Sequence, residues 1–530
     1  MNSESIEMNL KFVIFQCVIG LTLLQTRCSN GARILGFFGT PIRSHFIVEE
    51  PLMRELAKRG HDVTVVSTFT QHGRPLENYR YIEISDFLNG TFFHSLASAA
   101  VQSNTEKSSA STLFSIVKNL VGYSMNLLKH PKFLALKNEH FDLVIIGWLT
   151  NDYVLGLSGH FHCPSVIITP NVNFYPIRQY SGNPSSMSTI PSVLMGVNPK
   201  MAFFDRVSNF FAYIVEFFVF EFNFYWYAMP YYKEAFPPDQ YPTYDEVLKN
   251  VSLVLVSQHF SGHVPEALLP NVIEIEGLHV EKEPSPLPTD IKYFLDSATD
   301  GAIFFSLGSS VNSSELPPEK ISVILHKFQK MKLKILWKFE TDLPKLPDNV
   351  KIAKWLPQND ILAHPNVRLF ISHCGKGGIT EAKFHGVPIL AIPIFADQFS
   401  NAKKILNEGW AVSLPLSEIN ANTFSTAVDE ALNNASYTHV AKKLSTLYKD
   451  RPAHPLDTAV FWVEYVIRHD GAYHMQSPAV HLNFLQYYSV DVLAFIVVAS
   501  FVLVRVIRIL FNVFLMKVFG IRRRHKVKKE

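Results

Sequence analysis

Short apolar runs recur through the first half of the chain, each bounded by glycine, proline or charge: "ARILGFFG", "DVTVVS", "YRYIEI", "FDLVIIG", "PSVIITP" and "VSLVLVS". Runs this short that are apolar almost throughout, rather than alternating, predict strands buried on both faces. Between the first two lies a stretch of helical periodicity that ends "ELAKRGH", with Gly60 as its stop. Pro51 within it either kinks the helix or marks a later start. A second series begins near Gly301 with "GAIFFSLGSS", "LKILWKF", "NVKIAKWL", "VRLFISH" and "VPILAIP", each followed by loop or helix. Strands that alternate with helices predict parallel sheets covered on both faces. The proline- and charge-rich "LHVEKEPSPLPTD" joins the two series. Open α/β sheets hold ligands at the carboxyl ends of their strands, so two facing sheets define a cleft.

Three segments fall outside this alternation. Lys11 followed by "FVIFQCVIGLTLL" reads as a secretory signal, and a start at Met8 would give a tidier one than Met1. "VDVLAFIVVASFVLVRVIRILFNVFLMKVF" predicts a membrane span over about Ser489 to Phe511, with Arg505 and Arg508 snorkelling toward the cytosolic end. The third, Phe203–Tyr232, is dense in aromatics. Glu216 and Glu221 within it would each cost about 2.5–3.5 kcal/mol at a bilayer centre, which argues against a span. It reads instead as helices lining an apolar pocket, lying against the membrane, or packing as ordinary core.

Composition narrows the class. The 530 residues are 48% hydrophobic and 18% charged, which excludes disorder and favours two domains. Net charge is +3, but the tail "RRRHKVKKE" alone contributes +5, leaving about −2 for the rest. The body is therefore no basic nucleic-acid surface, and the tail stays cytosolic by the positive-inside rule. Lys526 and Lys528 resemble a dilysine retrieval signal of the endoplasmic reticulum. Sequons at Asn89, Asn250, Asn312 and Asn434 agree with a lumenal glycoprotein. Of Cys17, Cys28, Cys163 and Cys374, the first falls in the signal and the second near its cleavage point, so neither a disulfide framework nor a zinc site is implied.

The chemistry concentrates in "FISHCGKGGITEAKFHGVPILAIPIFADQ", Phe370 to Gln398. A strand ends at His373, glycines follow, and a helix starts near Gly378. A helix start offers unpaired N–H groups and a favourable dipole to a diphosphate, and glycine lets the backbone approach it. "SLGSS" supplies hydroxyls at a second strand end, and "WLPQ" an indole for stacking on a base and an amide to read its edge. Glu381 is placed to accept from ribose hydroxyls, and Asp397 and Gln398 to bond a sugar.

"WLPQNDIL", "SHCGKGGITEAKFHGVPILAIPIFADQFSNA" and "LDTAVFWVEYVIRH" resemble the donor-binding signature and C-terminal helix of the UDP-glycosyltransferase family, membrane-bound insect and vertebrate type. The resemblance covers essentially the whole chain. It implies two Rossmann-like domains facing a cleft, the GT-B arrangement, plus one C-terminal transmembrane helix. The expected parts are a signal peptide (1–29), an acceptor-binding domain (30–285), a UDP-sugar-binding domain (286–475), the span (489–511) and a basic tail (512–530). It implies a hexosyltransferase that moves glucose or glucuronate, glucose favoured by Gln398, onto a hydroxyl of a small lipophilic acceptor with inversion, as in detoxification. The co-substrate is a UDP-sugar; no cofactor and no metal are implied, and a homo-oligomer is compatible.

By the same resemblance, Trp355 and Gln358 serve uracil and ribose, Glu381 the ribose hydroxyls, Ser309, His373, Gly375 and Gly378 the diphosphate, and Asp397 and Gln398 the transferred sugar. His45, after the first strand, matches the catalytic base, and an imidazole near its ordinary pKa of about 6.5 suits that task. The chain departs from the pattern at three places. Cys374 and Gly377 replace a glycine and a polar residue near the phosphates, and Gly147 stands where an acidic partner of the base is expected. Asp152, just beyond that strand, is the substitute candidate. A protein that keeps the fold and only binds lipophilic ligands is the competing reading.

Overall fold

The computed structural model describes residues 31–71, 73, 75–86, 98, 101, 110–195 and 200–520. The expected signal segment, the sequon at Asn89 and the charged end of the tail lie outside these residues. The chain divides into two compact units, residues 1–476 and 477–530.

The first unit contains two parallel sheets. In the first, the strands run β3-β2-β1-β4-β5-β6-β7. They are β1 (Arg33–Phe38), β2 (Asp62–Ser67), β3 (Tyr79–Glu83), β4 (Leu143–Gly147), β5 (Ser165–Thr169), β6 (Val251–Val256) and β7 (Val272–Glu274). In the second the order is β10-β9-β8-β11-β12-β13. Its strands are β8 (Ala302–Ser306), β9 (Lys334–Lys338), β10 (Val350–Ala353), β11 (Val367–Ser372), β12 (Ile389–Ala391) and β13 (Ala411–Ser413). Every residue of β4, β5, β6 and β8 is buried, which is why these strands read as unbroken apolar runs. Strand order reverses between β1 and β4 in one sheet and between β8 and β11 in the other. Such reversal points are where doubly wound sheets open a crevice.

Helix α1 (Arg43–Lys58) follows β1 and lays Phe46, Leu52, Met53 and Leu56 on the first sheet. Pro51 lies inside it without ending it; the bond it cannot make falls to the carbonyl of Ile47, a residue on the exposed face. Gly60 closes the helix at φ +94°, a conformation other residues adopt only with strain.

Helix α2 (Phe203–Asn223) is turned inside out. Its polar residues Asn209, Glu216 and Asn223 are buried, while Phe203, Phe204, Phe211 and Phe218 are each at least 60% exposed. Glu216 accepts hydrogen bonds from the Tyr175 amide (3.1 Å) and the Ser192 hydroxyl (2.5 Å), and Glu221 from the Tyr175 hydroxyl (2.6 Å). The two carboxylates therefore serve the protein interior, and most of the aromatics face outward instead of lining a pocket.

Helices α3 (Lys376–His385) and α4 (Gln398–Asn407) belong to the second sheet. Helix α5 (Pro455–Arg468) then returns to the first, burying Ala459, Val460, Val463 and Val466 in its core. Each valine so buried contributes about 1.5–3 kcal/mol. The two connections between the sheets are bonded to one another. Arg451 donates to the Glu276 carbonyl (3.1 Å), His454 to the Val280 carbonyl (2.9 Å), and Lys282 pairs with Asp457 (2.7 Å).

In the second unit, α6 (Val490–Phe519) is a 30-residue helix whose apolar stretch, Val490–Val518, is long enough to cross a membrane.

Candidate active site

At the reversal point of the second sheet, β11 ends at Ser372 and α3 begins at Lys376. Gly375 is the N-cap and has no side chain to satisfy the first amides, so these remain available to an anion. The His373 ring is wedged between two glycines. A Cβ on Gly308 would lie 2.4 Å from its Cε1, and one on Gly375 would lie 2.5 Å from its Nε2. Gly308 also sits at φ +83°, so this turn after β8 needs glycine twice over. Ser309, beside it, is half-buried. Burial, and then the nearby Lys338, push the His373 imidazole down to about 4, so it is neutral at pH 7. Cys374 is fully buried at φ +64°, a region where a glycine would carry no strain. At Gly377 there is room: the nearest atom to a Cβ there is His279 Nε2, at 3.8 Å.

A nucleoside-sized corner adjoins this turn. Trp355 is 56% exposed. Gln358 donates through its amide to the Glu381 carboxylate, and Gly378 makes space for that amide, since a Cβ there would be 3.1 Å away. Burial raises Glu381 to about 7, against the opposing hydrogen bond from Gln358. On the far side, Asn401 donates to Asp397 (2.7 Å) and to the Cys374 carbonyl (3.1 Å), joining the loops after β12 and β11. Gln398 is engaged by its own turn: its side-chain oxygen accepts from the amides of Ile394 (2.8 Å) and Phe395 (3.1 Å). Its amide nitrogen is what remains for a sugar.

The reversal point of the first sheet faces this one. His45 lies in the first turn of α1, directly after β1, and its Nδ1 is buried with no hydrogen-bond partner. Burial, and then Lys376 from α3, push its imidazole down to about 4, below the ordinary value expected from sequence. The same Lys376 donates to the Ser257 carbonyl after β6. Arg43 lays its guanidinium 5.1 Å from the centre of the Trp355 ring, and Thr380 of α3 bonds Glu276 (3.2 Å). Lys376 thus brings the start of α3 close to the base candidate.

Asp152 has other partners. It accepts hydrogen bonds from the Tyr180 hydroxyl and from Trp148 Nε1 (3.3 Å), and no hydrogen bond joins it to His45. The cause is local: after β4 the chain turns through Thr150 at φ +54° into a short helical turn that directs Asp152 into an aromatic cluster. Arg43, His279 and Lys376 were not singled out from sequence. Lys376 had a signal, a lone cation inside a glycine turn; Arg43 and His279 had none, since their places follow from how the halves meet.

The UDP-glucoronosyl and UDP-glucosyl transferase family model matches residues 40–528. The chain belongs to this family. It is 36% identical over 486 residues to UDP-glucosyltransferase 2 of Dactylopius coccus, covering 91% of this chain and 93% of that one. Human UDP-glucuronosyltransferase 1A9 is 31% identical over 469 residues, 86% of each chain. Among solved structures, Medicago truncatula UGT71G1 complexed with UDP-glucose superposes with a TM-score of 0.53 at 16% identity, over 83% of this chain and 98% of that one. That likeness gives the fold, two parallel-sheet α/β domains of the GT-B type. As a member of the UDP-glycosyltransferase family, the protein is a hexosyltransferase.

Proposed function

We propose that this UDP-glycosyltransferase moves a hexosyl group, glucose in preference to glucuronate, from its UDP-sugar to a hydroxyl of a small lipophilic acceptor, with inversion. One observation carries the reading: the half-buried His45 imidazole at the first sheet's reversal point lies near Lys376, the first residue of the uncapped helix at the second's. His45 Nε2 takes the acceptor's proton as the acceptor oxygen attacks the anomeric carbon. The bond from that carbon to the diphosphate breaks, and its electron pair leaves on UDP. His373, Ser309 and the amides at the start of α3 stabilise the charge that develops there. Trp355 stacks on uracil, Glu381 and Gln358 hold the ribose, and Asp397 and Gln398 orient the sugar.

The outward aromatics of α2 support a membrane-facing surface, since exposed apolar area on this scale marks a contact site. An acceptor that partitions into lipid suits such a surface. We place the catalytic body in the lumen of the endoplasmic reticulum, with α6 as its anchor and the basic residues after it in the cytosol.

The test is product formation from UDP-glucose and from UDP-glucuronate across a panel of lipophilic phenols and alcohols, using the full chain in membranes. A β-glucoside product that disappears in His45→Ala supports the reading. Binding of UDP-glucose with no turnover on any acceptor would leave the ligand-binding alternative instead.

A further inference from the structure

His45 Nδ1 is buried without a hydrogen-bond partner, Gly147 has no side chain to offer it one, and Asp152 is occupied by Tyr180 and Trp148. A base in that position needs an anion. The imidazolium it becomes is disfavoured twice, by burial and by the Lys376 ammonium.

One carboxylate is placed to serve. Glu49 lies four residues after His45 on α1, so the two share a helix face with Cβ atoms about 5–6 Å apart. Glu49 is 0% exposed and stands in the apolar stripe that includes Phe46, Leu52, Met53 and Leu56. Neither of its oxygens has a hydrogen-bond partner. A carboxylate buried in this way is costly, and its packing neighbours give no structural return for it. Its location is specific. A Cβ added to Gly147 would fall 2.7 Å from Glu49 Oε2 and 3.0 Å from its Cδ. The Glu49 carboxylate therefore fills the volume into which a side chain at position 147 would project.

We propose that Glu49 is the residue that positions and charge-balances His45, supplying from helix α1 the carboxylate that the end of β4 lacks. The proposal rests on His45 being the acceptor base. Neither Glu49 oxygen bonds Nδ1 in this structure, and burial favours the protonated carboxyl; turned toward the ring and ionised, Glu49 would accept from Nδ1–H and fix the tautomer whose Nε2 lone pair faces the acceptor. When Nε2 takes the acceptor proton, imidazolium and carboxylate neutralise one another. The new bond forms from the acceptor oxygen to the anomeric carbon, and the old bond's electrons leave with UDP. Burial raises the Glu49 carboxyl well above its usual range and lowers His45, so each charge is disfavoured alone, and opposite charges on the pair would offset one another.

The experiment measures kcat and KM for UDP-glucose with the best acceptor of the phenol panel, on the full membrane-bound chain. The variants are Glu49→Gln, Glu49→Asp, Glu49→Ala, the double Glu49→Ala/Gly147→Asp, and His45→Ala. Glu49→Gln keeps shape and volume, and its melting temperature reports folding. The expected result is a kcat lowered about a hundredfold or more in Glu49→Gln with KM little changed. Glu49→Asp should keep more activity than Glu49→Gln, because it keeps the charge. The double variant should recover at least tenfold over Glu49→Ala; removing Glu49 relieves one contact there, and the Phe38 ring, 2.6 Å from the new Cβ, must turn to relieve the other. If Glu49→Gln stays within threefold of wild type while His45→Ala is dead, Glu49 has no such role and the base assignment survives. If the double variant folds but is no faster than Glu49→Ala, the shared volume has no catalytic meaning. An active His45→Ala would instead remove the base assignment, and this proposal with it.

Discussion

The donor edge and the acceptor edge stand at equivalent points of two similar sheets, yet they are built by different means. At the donor edge the backbone shapes the proposed site. Gly308 and Gly375 admit the His373 ring, Gly378 admits Gln358, and the uncapped start of α3 offers its amides. At the acceptor edge the side chains come from separate places: His45 and Glu49 from one helix, packed where Gly147 ends a distant strand, and Lys376 from the other sheet's edge. A backbone site tolerates few residue types at each turn and so fixes a contiguous stretch. A side-chain site leaves each position free to exchange its role with a spatial neighbour, as Glu49 and residue 147 illustrate.

The largest effect should come from the acceptor edge. His45→Ala is expected to lower kcat about a thousandfold or more while UDP binding, followed by calorimetry, stays within threefold. Comparable losses in both would mean that the two edges are not separable. The backbone character of the donor edge is tested by Gly308→Ala. Its Cβ would strike the His373 ring at φ +83°, so UDP affinity should fall about tenfold or more and stability by about 1–3 kcal/mol. Unchanged UDP affinity in that variant would show that His373 is not held by the turn after β8.

A pH titration separates the edges by a third route. Glu381 titrates at about 7, and only its ionised form accepts from two ribose hydroxyls. UDP-glucose, whose own charge is constant over this range, should bind the His45→Ala protein fully above pH 7. Its affinity should weaken by up to about tenfold per unit below pH 7. Glu381→Gln should flatten that curve, and a slope that persists in the variant would move the titration to another group. The smallest effect is a gain. Because a side chain fits at position 377, Gly377→Asn should tighten UDP binding by about 0.5–1.5 kcal/mol, roughly two- to tenfold.

Much of the fold was legible because parallel strands buried on both faces carry unbroken apolar runs. The two strands not read from the chain, β7 and β13, are three-residue edge strands too short to show a pattern. The aromatic segment was legible in composition but not in orientation. Nothing in the order of residues told that Glu216 and Asn209 turn inward and the phenylalanines outward, since that depends on acceptors and donors at Tyr175, Ser192 and Ile190. The donor motif could be placed residue by residue, whereas the engagement of Gln398 by its own turn could not. Glu49 carried a readable sign, a glutamate on the apolar stripe one turn from the candidate base. Asp152 looked suitable by distance along the chain, but the turn at Thr150 carries it away.

The paired connections between the sheets have a mechanical consequence. With residues 276–282 and 451–457 bonded to each other, the two lobes are bound along a common spine, like the covers of a book. Twisting or sliding of one lobe past the other would break those bonds, while swinging about the spine would not. Motion of this kind is opposed by the contacts that bridge the two edges, Lys376 to the Ser257 carbonyl and Arg43 to the Trp355 ring, so these act as latches on a hinge whose axis is the spine.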